Sequence, residues 1–335
     1  MNDDEKLKDI FETKKVSKFD KLIFKAKIFS IIRGTVISVV VVAVLGCILL
    51  IKNTITLNRL GNDKKTVMEH LYNISGPNSY IGATQFDDRI MIGEFAYTKY
   101  KFVGSKVVTD GDYKESYGYM PLINGIYGHM GDSLFEGEVE TKSGHAFNEN
   151  QSYNKIGRKM MKFYIPSIKY KYYTNDLATL SKIGEDKNAE ISLSFDKGYS
   201  IDEIKNMMPQ NITLNWFWVD SYDKKQINDM SNTINTVENE EDVYGIKALQ
   251  DNGDKIKNPE GSFIQTICTA KSIKGTDSQT YQTLFNKLSI DKKTIKKADI
   301  KIIGVVVSGD VNSLKQLQGK SFIKASTFGA IVDKY

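Results

Sequence analysis

The most uneven feature of the chain is one long stretch without charged residues near its start. From Gly34 to Ile51, 18 consecutive positions carry no charged side chain, and the run reaches 24 positions if Arg33 and the residues from 28 to 32 are included. A helix needs about 20 predominantly apolar residues to cross the hydrocarbon core of a bilayer. A buried helix of a soluble protein is rarely apolar on every face for about five turns. The pattern therefore predicts a transmembrane helix over residues 28–52.

Basic residues flank this stretch unevenly. Residues 13–33 hold seven Lys or Arg and one acidic residue, Asp20, whereas residues 52–65 hold four Lys or Arg. Segments rich in Lys and Arg stay on the cytoplasmic side of a membrane. We therefore expect a single-pass protein in the cell membrane, with its N-terminus in the cytoplasm and its large C-terminal part outside.

Two other interpretations of the apolar stretch fit the neighbouring residues less well. A cleaved signal peptide would end in small residues of the A-x-A type, but Lys52 and Asn53 follow the run here. A lipoprotein would use residues 44–47 as its lipobox and become polar after Cys47, but the next four residues continue the apolar run. We therefore expect an uncleaved membrane anchor.

The segment before the anchor, residues 1–27, combines a basic stripe with an apolar face. The basic stripe consists of Lys14, Lys18, Lys21 and Lys25, and the apolar face of Phe19, Leu22, Ile23 and Ala26. Both sets have helical spacing, and Ser17 has the pattern of a capping-box residue, which predicts a helix that begins there. The face could lie in the bilayer with the lysines on anionic head groups, or dock on a cytoplasmic partner. Physical reasoning alone favours the lipid contact.

The first half of the outer part, residues 53–155, has the pattern of short strands. After a short helix at 62–72, closed by Gly76 and Pro77, strands are predicted at 90–97, 100–103 and 135–139. We expect an antiparallel, β-rich region here.

The second half, residues 156–335, alternates between strand and helix patterns. Strands are predicted at 191–195, 212–219, 301–307 and 321–327, and helices from Ser200 to Pro209, from Pro259 to Ile267, at 277–288 and at 311–317. In the strand at 212–219, strict alternation puts Ile212, Leu214, Trp216 and Trp218 on one face. The predicted fold class is a transmembrane helix followed by an α+β extracytoplasmic domain, with a β-rich first half and a mixed α/β second half.

Composition and motifs give no case for an enzyme. The net charge is only +5, which argues against direct nucleic-acid binding. Three histidines form no zinc motif, and nucleotide-binding patterns are missing, so we expect no metal, cofactor or small-molecule substrate. Gly131–Leu134 resembles the nucleophile block of GDSL hydrolases, but the chain has no Asp-x-x-His to supply a base. Residues 251–254 are expected to form a turn.

Two other features of the outer part bear on its function. With Cys47 inside the apolar run, Cys268 is the one cysteine elsewhere, so the outer part must be stabilised by its core and not by disulfides. Trp216 and Trp218 could stack on cell-wall sugars, but their spacing on a strand favours core packing.

Two blocks of the chain resemble one family. The first runs from about Phe19 to Tyr113 and joins the basic helix and the span to LYNISGPNSYIG at 71–82 and GEF at 93–95. The second runs from about Ile191 to Tyr335 and includes WFWVD at 216–220, IGVVVSG at 303–309 and IKASTFGA at 323–330. These blocks are similar to the N-terminal and C-terminal domains of bacterial sigma factor regulators, and they stand in the family's order.

The resemblance implies a membrane-bound anti-sigma factor. Its cytoplasmic segment would sequester an extracytoplasmic-function sigma factor, and its outer domain would respond to envelope stress. Partner docking by the apolar face thereby becomes at least as well supported as lipid contact. Residues 1–27 bury little surface compared with the roughly 800 Å² per partner of a standard interface, so either a helix-in-groove contact suffices or a second membrane protein contributes. The alternative is a cell-wall or ligand-binding membrane protein without a sigma partner.

Overall fold

The structure, a computed structural model, describes the side chains of residues 18–119, 152–232, 237–272 and 278–334, and also the backbone of 3–17, 133–135, 139–140 and 146–147. Three parts follow one another along the chain. A long helix comes first, a three-stranded sheet packs against its C-terminal end, and a five-stranded sheet with helices follows.

Helix α1 (Asp3–Ile74) is continuous over 72 residues. The helix predicted to begin at Ser17 begins earlier, and the helix predicted at 62–72 is confirmed as helical but is the end of α1. No proline interrupts the sequence before Pro77, so nothing breaks the hydrogen-bond ladder. The helix ends where Gly76 and Asn78 adopt positive φ angles of 70° and 53°. Its most apolar 18-residue window is exposed throughout, as expected of a membrane span. The chain is a single-pass membrane protein with an α+β domain, as predicted.

The first sheet contains β1 (Tyr80–Asp88), β2 (Ile92–Val103) and β3 (Lys106–Gly118), paired antiparallel in the order β1-β2-β3. The antiparallel, β-rich character is confirmed, but the strands expected at 90–97 and 100–103 form one strand. Alternate residues of β2 face inwards, and Phe95 and Tyr97 pack there against Leu57 and Met68 of α1. The sheet is therefore attached to the part of α1 that follows the apolar span.

Short strands connect the two sheets. They are β4 (Ser133–Phe135), β5 (Val139–Glu140), β6 (Ala146–Phe147), β7 (Tyr153–Asn154) and β8 (Lys162–Phe163). The strand predicted at 135–139 lies partly outside the described residues.

The second part is built on an antiparallel sheet whose strand order differs from the order along the chain. Its elements are β9 (Lys187–Tyr199), α2 (Ile201–Met207), β10 (Thr213–Val219), α3 (Lys224–Asn232), β11 (Glu238–Asn239), β12 (Gly245–Lys247), α4 (Pro259–Ala270), α5 (Ser278–Leu288), β13 (Ile302–Asp310), α6 (Val311–Lys315) and β14 (Ile323–Asp333). The sheet order is β12-β10-β13-β9-β14, while β11 pairs with β8. The predicted start of α2 is confirmed, because Ser200 and Glu203 form a capping box.

The sheet has two buried faces. On one face, β9 and β13 pack against α2, α4, α5 and α6 in the largest core. On the other face, residues 161–170 cover the two tryptophans of β10. This arrangement explains why β13 is apolar along almost its whole length.

A β-bulge in β10 corrects one prediction. Leu214 pairs with Val307 and Trp216 pairs with Val306, so Asn215 is an extra residue in the strand. The extra residue reverses the alternation, and the prediction that Ile212 and Leu214 share a face with the tryptophans is wrong. They pack in the core on the helix side, whereas Trp216 and Trp218 lie in the opposite core.

Candidate functional site: an exposed helix face and a buried junction

The apolar face predicted on α1 is exposed. Phe19 is 67 % exposed and Leu22 is 64 % exposed, and Ile23 and Ala26 are exposed as well. Spacings of three and four residues put these side chains on one side of the helix. We name them, Phe19, Leu22, Ile23 and Ala26, the apolar face of α1. Such a ridge can insert into a groove or lie in a bilayer, because both remove it from water.

The basic stripe lies beside this face. Lys18, Lys21 and Lys25 are exposed, while the side chain of Lys14 lies outside the described residues. Phe24 is also 65 % exposed but points to a different side of the helix. The amines can therefore contact anionic groups next to the apolar face.

The other end of α1 is built into the junction between the two sheets. Ile74 is fully buried in the core of the five-stranded sheet, and Ser75 forms a β-bridge with Tyr244. The backbone N–H of Gly104 in the β2–β3 turn donates to Ser308 Oγ of β13 at 3.1 Å. The helix, the small sheet and the large sheet therefore meet in one place.

Two buried asparagines close this junction. Asn78 Nδ2 donates to Phe102 O and to Glu190 Oε1, both at 2.8 Å. Asn215, the bulged residue of β10, donates from Nδ2 to the same carbonyl at 3.1 Å and to Asn78 Oδ1 at 3.2 Å. The bulge thus places a polar side chain where the small sheet meets the large one.

Charged side chains form a buried network beneath the asparagines. Lys101 Nζ lies 3.3 Å from Glu190 Oε1 and 3.6 Å from Glu240 Oε2. Arg158 bridges Glu240 and Asp110, with its Nε 2.7 Å from Asp110 Oδ1. We call these five residues, Lys101, Asp110, Arg158, Glu190 and Glu240, the charge cluster.

Burial and neighbouring charges act against each other in this cluster. Burial would raise the pKa of Glu240, but Arg158 and Lys101 outweigh it and lower the pKa to about 2. The pKa of Arg158 is raised in turn, because Glu240 and Asp110 overcome the burial that would lower it. The backbone N–H groups of Met161 and Ala330 donate to Glu240 and Glu190. The two glutamate carboxylates thus receive partners from β2, from residues 158–161 and from β14.

Family comparisons cover both sides of this junction. The model described as "Sigma factor regulator N-terminal" matches residues 20–108, and the one described as "Sigma factor regulator C-terminal" matches residues 180–330. The two matches together span most of the chain. The chain belongs to the sigma factor regulator family. No curated protein and no solved structure matches it significantly.

Family membership supports an anti-sigma role for this sigma factor regulator. The N-terminal match contains α1 from residue 20 and all of β1 and β2, and the C-terminal match contains β9 to most of β14. Lys101 and Glu190 therefore belong to different matched domains of the regulator. Sequence reasoning missed this contact, although Lys99 and Lys101 fall on the inward phase of β2, where Phe95 and Tyr97 also lie.

A cavity of about 470 Å³ opens beside the junction of this sigma factor regulator. Tyr72 of α1, Tyr80 of β1, Lys247 of β12 and Phe263 of α4 contribute to its lining. Burial lowers the pKa of Lys247 to about 7 although Asp251 acts to raise it. Lys247 Nζ lies 4.3 Å from the centre of the Tyr80 ring. The volume falls within the range of small-molecule sites.

The structure also places the other residues of the regulator that the sequence singled out. Trp216 and Trp218 are fully buried, so core packing is confirmed and stacking on external sugars is excluded for them. The turn at 251–254 is confirmed, with Gly253 at φ 86°. Gly131–Leu134 begins outside the described residues. Among the side chains described, no group of three His, Cys, Asp or Glu could hold a metal ion.

Proposed function

We propose that this sigma factor regulator sequesters an extracytoplasmic-function sigma factor through the apolar face of α1 and responds to envelope stress through its folded domain. The observation that carries the proposal is the apolar face itself. Four apolar side chains are exposed on a helix that lies mostly within the N-terminal family match. A groove on a sigma factor would remove them from water, in the way that amphipathic helices bind their partners.

The proposed topology follows the basic residues. Residues 1–27 would lie in the cytoplasm, residues 28–52 would span the membrane, and residues 53–155 and 156–335 would form the two extracytoplasmic regions. The excess of Lys and Arg before the span supports this orientation. The sigma factor and RNA polymerase are cytoplasmic, so this orientation also puts the apolar face in their compartment.

The continuity of α1 supports a route for the signal. Leu57 and Met68 pack in the core of the small sheet, and Ile74 packs in the core of the large sheet. Because these contacts and the apolar face belong to one helix, a rearrangement of the folded domain would move or rotate the cytoplasmic end. In this proposal the signal acts by rearranging the junction between the two sheets.

Lipid and a second membrane protein have supporting roles in the proposal. Lys18, Lys21 and Lys25 are exposed beside the apolar face and can contact anionic head groups. The cytoplasmic segment is short for a standard interface of roughly 800 Å² per partner. A second membrane protein would supply the remaining surface.

The second candidate function is a cell-wall or ligand-binding membrane protein without a sigma partner. The cavity of about 470 Å³ beside Lys247 favours it, because it could hold a small envelope molecule. In that case the apolar face of α1 would be covered by lipid alone.

Substitutions on opposite sides of α1 distinguish these functions. Leu22→Asp would disrupt the apolar face, whereas Phe24→Asp makes the same change at similar exposure and depth on another side. We expect Leu22→Asp to weaken sigma binding about tenfold, equivalent to about 1.4 kcal/mol. In a reporter strain, this loss should raise sigma-dependent transcription, and Phe24→Asp should leave it low. Equal transcription from both variants would count against sequestration by this face.

A further inference from the structure

The turn between β1 and β2 is fastened to α1 just beyond the apolar span. Asn53 Nδ2 donates to Arg89 O at 3.0 Å, and the backbone N–H of Met91 donates to Asn53 Oδ1 at 2.7 Å. The hydroxyl of Tyr119 donates to the same Oδ1 at 2.8 Å. One helix side chain thus fixes the height of the turn and of Tyr119 along the helix axis.

That height coincides with the edge of the bilayer. Arg33 and Lys52 are the charged residues that bound the apolar run, and they lie 19 residues apart. At 1.5 Å per residue this is about 28 Å, close to the roughly 30 Å thickness of the hydrocarbon core. Asn53 follows Lys52 directly, so the turn that it holds lies at the level of the lipid head groups.

The side chain at the tip of the turn is apolar, which is unusual for an exposed turn in water. Ile90 is 68 % exposed, and Met91 beside it has a φ of 68°. Such turns usually carry Gly, Asn or Asp, which suit water and positive φ angles. Tyr119, also exposed, is of a type enriched at membrane interfaces. An apolar tip with an adjacent tyrosine matches the chemistry of a lipid surface.

We propose that the β1–β2 turn is a membrane-contacting wedge, with Ile90 inserted among the lipids of the leaflet that faces the folded domain. The head-group layer is about 5–7 Å thick on each side, so a side chain at its level reaches the start of the acyl chains. The wedge ties the small sheet to the bilayer as well as to α1. Changes in lipid packing at this surface would thereby act directly on the sheet that holds Lys101. The inference requires neither a sigma partner nor a particular orientation of the chain.

Tryptophan fluorescence in brominated lipid tests the wedge. Ile90→Trp and Val107→Trp are made in the full-length protein, which is reconstituted into vesicles of brominated or ordinary phosphatidylcholine. Val107 is a matched control because it is 63 % exposed and lies near the β2–β3 turn at the far end of β2, about 36 Å away. The native Trp216 and Trp218 are buried and give the same background in both variants.

We expect brominated lipid to reduce the added emission of Ile90→Trp and to leave that of Val107→Trp unchanged. The proposal would be overturned if brominated lipid changed the emission of neither variant, or if it quenched both variants equally. Near-UV circular dichroism checks that each variant is folded. If Ile90→Trp is not, Tyr119→Trp reports on the same depth and is judged by the same comparison with Val107→Trp.

Discussion

Lys101 and Glu190 form an ion pair in which both side chains are buried, with Lys101 Nζ 3.3 Å from Glu190 Oε1. Lys101 comes from the sheet that packs on α1, and Glu190 comes from the central part of the large sheet. Asn78 and the backbone N–H of Ala330 donate to the same carboxylate. Because a charge in a protein interior is costly without its partners, the pair favours a single arrangement of the two matched domains.

Removing one partner of this pair should be costly. We expect Lys101→Met to lower the free energy of unfolding by about 3–5 kcal/mol, because Glu190 would stay buried with less compensation. Urea unfolding of the full-length protein in detergent measures the change. Lys114→Met is the matched control, since it removes an exposed lysine of β3 from its pair with Glu94, and such surface pairs contribute about 0–1 kcal/mol. Similar losses in the two variants would contradict the structural role of the charge cluster.

Acid should weaken the same junction through Glu240. Its pKa is lowered from 4.5 to about 2 in the folded protein, where Arg158 and Lys101 overcome the effect of burial. A carboxyl group whose pKa is lowered by folding stabilises the folded state at pH values above its pKa in the unfolded chain. This stabilisation is lost as the pH falls towards the pKa in the folded protein. We therefore expect the free energy of unfolding to drop between pH 4.5 and 2, and to drop less in Glu240→Gln.

The half-exposed Glu69 offers the control for this pH series. Its side chain lies at the end of α1 with a distant lysine partner at 3.7 Å. Glu69→Gln should keep the acid dependence of the parent protein. If Glu240→Gln instead keeps it and Glu69→Gln loses it, the lowered pKa has been assigned to the wrong carboxyl group.

Lys247, which lines the cavity beside α4, should make the stability depend on pH in the alkaline range. Burial lowers the pKa of Lys247 from 10.5 to about 7, so the unfolded chain binds more protons between these values. Stability then rises with pH from 7 to 10.5. Lys247→Met should flatten this rise in thermal unfolding measured across that range, and Lys255→Met, on the exposed neighbouring turn, should not. A curve for Lys247→Met that rises like that of the parent would contradict burial of a charged amine at this site.

The orientation of the chain is testable with single cysteines. In a background of Cys47→Ser and Cys268→Ser, Lys18→Cys and Ser105→Cys lie on opposite sides of the span, and both positions are exposed. We expect a membrane-impermeant maleimide to label Ser105→Cys in intact cells and Lys18→Cys only after permeabilisation. The reverse pattern would place the apolar face of α1 outside the cytoplasm and exclude its contact with a sigma factor.

The patterns that could be read from the sequence are those set by local periodicity. The apolar run of α1, the capping box at Ser200 and the apolar β13 were predictable because each depends on neighbouring residues alone. The family resemblance, confirmed by both matches, added the anti-sigma role.

What was missed depends on distant contacts. The bulge at Asn215 has no local signal, since its partners Asn78 and Phe102 are more than 100 positions away. The charge cluster likewise joins Lys101 to residues far along the chain, and lysines on a strand usually indicate an exposed face. The single helix from residue 3 to 74 was predicted in pieces because polar residues after the span concealed its continuity.

Co-purification shows directly whether the N-terminal segment binds a sigma factor. The full-length protein and a variant lacking residues 1–27 are solubilised from membranes of their own cells and isolated under the same conditions. We expect a sigma factor to be recovered with the full-length protein and to be missing from the variant, because the variant has lost the apolar face of α1. Recovery of the same proteins with both versions, without a sigma factor, would contradict sequestration by this segment and direct attention to the folded domain.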